Sequence, residues 1–106
     1  MKRLIAITVA VVLLTAVPAL CLQLSLTGNQ LKQDAASQGA YSKGYFEGYV
    51  LGVLESAKDR LCVPERVEMG QALEVIEKYL KEHPQELHLP ASGLVLKAIQ
   101  TAWPCN

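Results

Sequence analysis

Residues 40–64 read AYSKGYFEGYVLGVLESAKDRLCVP, and the fold can be inferred outward from this stretch. Tyrosine recurs in it every four residues, and so does glycine, and residues four apart share one side of an α-helix. We therefore predict a long helix from about Ala40 to Asp59, ended by Cys62 and Pro64. Two neighbouring stripes form the predicted packing face of this helix, which consists of Tyr41, Gly44, Tyr45, Gly48, Tyr49 and Gly52.

The three glycines need a compensating gain, because each costs about 1 kcal/mol relative to alanine inside a helix. The gain we expect is the close approach of another backbone to a smooth helix face. A pair of membrane helices would use the same pattern. However, Lys43, Glu47, Glu55 and Lys58 lie in the same stretch and argue against a membrane location.

The segments downstream show the helical period as well. Residues 68–82 place Met69, Leu73 and Ile76 on one face, which predicts an amphipathic helix. His83 and the proline after it end that helix and introduce a short turn. Pro90 suits the first position of a last helix.

Upstream, Thr27 and Gln30 have the spacing of a capping box, in which each side chain satisfies a backbone amide near the other. The helix that they start is predicted to run to about Gln38, with Gly39 as its C-terminal stop. Because no alternating strand pattern competes, we predict an all-α fold, a small bundle of about four helices closed by one disulfide.

The first residues have the order of a secretory signal. Lys2 and Arg3 precede an apolar run from Leu4 to Val17, which is shorter than the roughly 20 residues that span a bilayer. We predict a signal peptide over residues 1–21, cleaved after Ala19 or after Cys21, and a mature domain over residues 22–106. The expected location is the periplasm, without stable membrane insertion after cleavage.

Charge and motifs exclude several classes of function. The chain has 10 basic and 10 acidic residues, and loss of Lys2 and Arg3 leaves 8 and 10, a net charge of −2. This balance does not favour nucleic acid, which attracts clustered lysine and arginine. We expect no catalytic residues, no cofactor and no metal site. The spacings of Cys62, His83, His88 and Cys105 are not a zinc signature.

Cleavage after Cys21 leaves two cysteines, Cys62 and Cys105, and an even number suits an oxidising compartment. Cys62 follows the glycine-rich helix, and Cys105 follows the last helix. If three successive helices alternate in direction, the first and third end at the same pole. We therefore predict a Cys62–Cys105 disulfide.

Several motifs occur in an order that resembles the Rap/Tai family of type VI secretion immunity proteins. They are Thr27-Gly28-Asn29-Gln30, Gly44-Tyr45, Gly48-Tyr49, Leu61-Cys62-Val63-Pro64, Lys78-Tyr79-Leu80, His83-Pro84, Leu87-His88 and Trp103-Pro104-Cys105. The resemblance covers about 80 residues. Many relatives have a second cysteine pair upstream, which residues 31–40 lack.

The resemblance implies a small helical periplasmic protein, commonly a homodimer, that binds and blocks a secreted toxin, a peptidoglycan amidase effector. It places Cys62 and Cys105 at the family's disulfide positions. The alternative function is a small periplasmic stress or chaperone-like binding protein. The matching residues specify a scaffold and do not identify the toxin.

A protruding loop fills an enzyme cleft better than a helix face does. The segment 58–66 is the candidate, because prolines pin the other loop, residues 83–89. We predict partner contacts at Asp59, Arg60, Glu65 and Arg66, since arginine pairs with carboxylates and stacks on aromatic rings. The alternative is that these are ordinary solvated charges.

Overall fold

The computed structural model describes residues 1–9 and 25–106, and its regular structure is α-helical. The predicted cleavage sites at Ala19 and Cys21 lie outside the described residues. The α-helices are α1 over residues 2–9, α2 Gly28–Ala36, α3 Ala40–Ala57, α4 Met69–Glu82 and α5 Ala91–Ala102, with 3₁₀ turns at Lys58–Arg60 and Pro84–Glu86.

The all-α class is therefore confirmed for the part of the chain that the structure describes. Residues 1–9 and 25–106 contain five α-helices rather than about four, because α1 lies inside the segment interpreted as an export signal. None of the described helices combines the length and the apolar character needed to cross a bilayer.

Helices α2 to α5 share one apolar core. The predicted stripe of α4 faces inward, and so do the apolar side chains of α5, because burial of an apolar side chain stabilises the fold by about 1.5–3 kcal/mol. The fully buried side chains that fill the centre are Leu31, Val50, Ile76, Leu80, Val95 and Ile99. Helix α3 contributes Phe46 and Val50 from its inner side.

The start of α2 is clamped to the segment before α5. The Thr27–Gln30 capping box is present, with the Gln30 side chain accepting from the Thr27 amide at 3.0 Å. Beside it, the Gly28 amide donates to the Leu89 carbonyl at 3.0 Å, and the Asn29 amide donates to the Leu87 carbonyl at 2.8 Å. The two segments are therefore in direct backbone contact.

Helix α3 ends at Ala57 rather than at Asp59, and the chain continues in the 3₁₀ turn Lys58–Arg60. Two further helix boundaries differ from the prediction. Helix α2 ends at Ala36, and Gly39 is the N-cap of α3 in an extended conformation, with φ −74°, rather than a left-handed stop. Pro90 is the N-cap of α5, so Ala91 is the first helical residue. In both cases the chain reaches its next element one or two residues from the predicted boundary.

The outer face of α3 is exposed. A Cβ atom added at Gly44, Gly48 or Gly52 would meet nothing within 4 Å among the described residues. Tyr41 is 85% exposed and Tyr45 is 44% exposed. The predicted close approach of a second backbone is therefore not made by the described part of this chain, and it stays a prediction about another molecule.

The structure brings Cys62 and Cys105 to bonding distance, with their Cα atoms 5.3 Å apart. As predicted, α3 and α5 end at the same pole of the bundle. The bond ties the segment after α3 to the end of the chain across a sequence separation of 43 residues.

We predict that Gly28→Ala destabilises the protein by about 2–3 kcal/mol, because an added methyl overpacks the clamp. It would meet the Leu94 side chain and would lie 3.0 Å from the Leu87 carbonyl oxygen, which is held by the backbone contact. The measurement is urea unfolding. Gly93→Ala is the matched control, since open space surrounds that position, and it should change little or stabilise by up to about 1 kcal/mol. Equal effects of the two changes would contradict the assignment.

We predict that the Cys62→Ser, Cys105→Ser double variant unfolds more easily by about 4 kcal/mol, the chain-entropy value for a loop of this length. The cause is the larger conformational freedom of its unfolded state. Urea unfolding of both proteins, purified from an oxidising compartment, measures the difference. Two thiols that react with a labelling reagent in the folded parent protein would disprove the bond.

Candidate partner-binding surface

The candidate site is the linking segment, residues 58–68, between α3 and α4. It begins with the 3₁₀ turn, closed by the Leu61 amide, which donates to the Lys58 carbonyl at 3.3 Å. It continues in extended form through Cys62, and a second turn follows, in which the Val67 amide donates to the Pro64 carbonyl at 3.1 Å. The segment is thus an ordered loop.

Its side chains divide into two sets. The inner set is apolar and half-buried: Leu61 and Val63, which pack against the core, and Val67. The outer set is charged and exposed, and it contains all four predicted contact residues, Asp59, Arg60, Glu65 and Arg66. The inner set and the disulfide at Cys62 hold the backbone in place. The position of the outer set on the surface therefore does not depend on packing by its own side chains.

An open groove lies beside the linking segment, between the C-terminal half of α3 and the start of α4. Its volume is about 380 Å³. Apolar side chains form most of its lining: Leu54, Leu61, Val63, Val67, Met69, Ala72 and Ile99. Glu55, Lys58 and Glu68, all exposed, complete the lining. An apolar recess with charged groups around it is the form of a site that receives a large side chain or a small molecule.

This groove is not apparent from the sequence. Its lining comes from three separate stretches of the chain, and the apolar residues in it have the spacing expected of core residues. The only indication of the groove in the sequence is an excess of apolar residues on the C-terminal half of α3. There, Leu54 is an additional apolar residue beside those of the inner face.

A second polar cluster connects α4, the 3₁₀ turn after it and α5. The Tyr79 hydroxyl donates to the Glu86 carboxylate at 3.0 Å, and Lys97 forms an ion pair with the same carboxylate. The hydrogen bond from Lys97 lowers the pKa of Glu86, with the Tyr79 hydroxyl acting in the same direction. Burial, and next the Glu86 hydrogen bond, raise the pKa of Tyr79.

His83 supports the same corner of the fold. Its ring stacks on the Tyr79 ring, with centroids 3.9 Å apart, and its Nδ1 lies 2.8 Å from the Tyr79 carbonyl oxygen, to which it donates. This arrangement agrees with the prediction that His83 ends α4 and introduces a short turn. His88 is exposed, away from that ring stack. Among residues 1–9 and 25–106, no group of three or more histidine, cysteine or acidic side chains could hold a metal ion.

The fold and the surface together define a class: a small, disulfide-closed helical domain whose best candidate site is a charged loop beside an apolar groove, suited to binding another protein. Residues 19–105 match the family of Rap1a immunity proteins. The match covers most of the chain, which therefore belongs to this family. No curated protein matches the chain.

We predict that acid weakens the fold through Glu86. Its pKa is lower in the folded than in the unfolded chain, so its stabilising effect is present above about pH 4.5 and is lost as pH falls below that. The urea midpoint of Glu86→Gln should therefore fall less between about pH 6 and about pH 3 than that of the parent. Glu74→Gln, at an exposed position of α4, controls for the loss of one carboxylate. Parallel pH profiles for the parent and Glu86→Gln would show that the ion pair adds nothing.

Proposed function

We propose that this protein is an immunity protein that binds and blocks a secreted peptidoglycan amidase effector. The observation that carries the proposal is membership of the Rap1a immunity family over residues 19–105. Immunity proteins act by binding a folded toxin, and the protein offers a rigid, charged surface for that purpose.

The linking segment is the proposed inhibitory element. Six exposed charged side chains belong to it, including the four candidate contacts, and its backbone is held by the disulfide and by the half-buried Leu61 and Val63. Such preorganisation supports tight binding, because little loop entropy is lost when the partner docks. Arg60 and Arg66 are the proposed anchors, since a guanidinium can form two hydrogen bonds to one carboxylate.

The proposed place of action is the periplasm. Residues 1–21 serve as the export signal in this proposal, and residues 22–106 form the mature domain. A disulfide between Cys62 and Cys105 suits that oxidising compartment. The amidase substrate, peptidoglycan, is in the same compartment, so the immunity protein would meet an incoming toxin there.

The protein is further proposed to act as a homodimer. The outer face of α3 supports this, because Tyr41, Tyr45 and Leu51 are exposed large apolar residues on a helix whose inner face is already buried. Large apolar side chains grouped on one exposed helix face are typical of a surface that another protein covers. The glycine stripe on this face would let a second helix approach closely.

We predict that Arg60→Ala and Arg66→Ala each weaken binding to the cognate effector by at least about tenfold, the effect of losing roughly 1.4 kcal/mol at an interface anchor. The melting temperature should stay unchanged, because both side chains are exposed. The measurements are calorimetric titration with the purified effector and survival of cells that receive it.

Lys81→Ala is the matched control, because it removes one exposed cation from α4, outside the linking segment. It should bind as the parent does. If both arginine variants protect cells as well as the parent, the linking segment is not the inhibitory element. If the parent binds no amidase effector from any competing strain, the proposed function itself fails.

A further inference from the structure

The groove beside the linking segment offers an apolar lining to an outside group. It is open, with a volume of about 380 Å³, and Met69, Val67 and Leu54 are among its walls. Pockets of this size receive an aromatic side chain or a small ligand. A side chain that fills the groove must come from a surface that can be brought next to it.

The same helix that borders the groove carries an exposed aromatic residue at its other end. Tyr41 stands in the first turn of α3 and is 85% exposed. Glu55, at the edge of the groove, stands in its last turn. Tyr41 lies seven residues before Gly48 and Glu55 lies seven residues after it, and steps of seven return to nearly the same side of a helix.

We propose that two copies of this chain pair through the outer faces of α3 in antiparallel fashion, and that Tyr41 of each copy occupies the groove of the other. The inference rests on the proposed homodimer and specifies how its surface works. A two-fold axis at Gly48 would bring Tyr41, about 10 Å along the helix at 1.5 Å per residue, level with Glu55 of the second copy. The contact would occur twice, as two-fold symmetry requires.

The glycine stripe has a defined role in this arrangement. Gly44 and Gly52 are equally spaced about Gly48, so the pattern reads the same in both directions along the helix. None of the residues that the structure describes lies within 4 Å of a Cβ atom added at any of these three positions. Small residues at the crossing point let the two helices come close enough for a tyrosine side chain to bridge from one helix to the groove beside the other.

The chemistry of the groove fits a tyrosine. The ring would lie on aliphatic side chains and beside the sulfur of Met69, a favourable contact for an aromatic ring. Its hydroxyl would remain near the charged edge, where Lys58 and Glu55 offer a donor and an acceptor. The four candidate contact residues, Asp59, Arg60, Glu65 and Arg66, are exposed and do not line the groove, so this dimer would leave them free to contact the toxin.

Cysteine crosslinking tests the arrangement while keeping Tyr41. The variant Ala40→Cys, Glu68→Cys places one thiol beside Tyr41 and the other at the groove. Within one chain the length of α3, about 25 Å at 1.5 Å per residue, separates these positions. This exceeds the Cα–Cα reach of a disulfide, about 7 Å, so a bond between them must join two copies. Mild oxidation should give a covalent dimer on a non-reducing gel.

Each single cysteine variant, and the pair Ala40→Cys, Gln85→Cys with its second thiol at the opposite end of α4, should remain uncrosslinked. Tyr41→Ala should weaken dimerisation at least about tenfold by analytical ultracentrifugation, the scale of a lost aromatic anchor, with an unchanged melting temperature of the monomer. Tyr41→Phe keeps the ring and should stay within a few-fold of the parent.

The outcomes of these experiments test the antiparallel pairing separately from the proposed homodimer and from the proposed immunity function. A dimer by mass that neither crosslinks nor responds to Tyr41→Ala overturns this pairing but leaves the homodimer. A parent that is monomeric at every concentration overturns both. Effector binding measured on the same samples is independent of either result, so a monomer that still binds the amidase would leave the immunity function intact. Protection of groove residues by the effector, with Tyr41 irrelevant, would overturn the pairing and assign the groove to the toxin.

Discussion

A single covalent bond, between Cys62 and Cys105, governs both the stability of this small domain and the placement of its candidate binding surface. Residues 25–106, which form helices α2 to α5 and their connections, bury a limited core, and their free energy of folding is a small difference between large terms. The bond removes conformational freedom from the unfolded chain. It also fixes, at one pole, the segment that carries the candidate contact residues. Stability and presentation of the binding surface therefore rest on the same link.

The opposite end of the bundle is held by noncovalent contacts of a different kind. The start of α2 exchanges backbone hydrogen bonds with the segment before α5, and Gly28 makes that approach possible. On the other side of the same segment, Glu86 joins Tyr79 and Lys97. A buried hydroxyl and a cation satisfy one carboxylate, which is why its charge stabilises the corner between α4 and α5 instead of destabilising it. The ionisable side chains of Tyr79, Glu86 and Lys97 therefore have a structural role.

Helix α3 links the scaffold to the proposed function, because one of its faces is buried and the other is exposed. The inner face, with Phe46 and Val50, belongs to the core. The outer face keeps apolar side chains and glycines in solvent, and a monomer would be more stable with polar residues and alanine there. The proposed second molecule on this face would account for that composition, and it would place two charged linking segments on one assembly.

The amino-acid pattern was enough to predict the helical class, the capping box at Thr27, the inward stripe of α4 and the pairing of the two cysteines. Each depends on local spacing or on the alternation of helices, and both are visible along the chain. The direction faced by the α3 glycines, the groove and the Tyr79–Glu86–Lys97 cluster became known only from the packed structure. These features depend on which residues from distant stretches of the chain come into contact. The periodicity of the sequence identifies the glycine face of α3, but it does not show whether another part of the same chain covers that face.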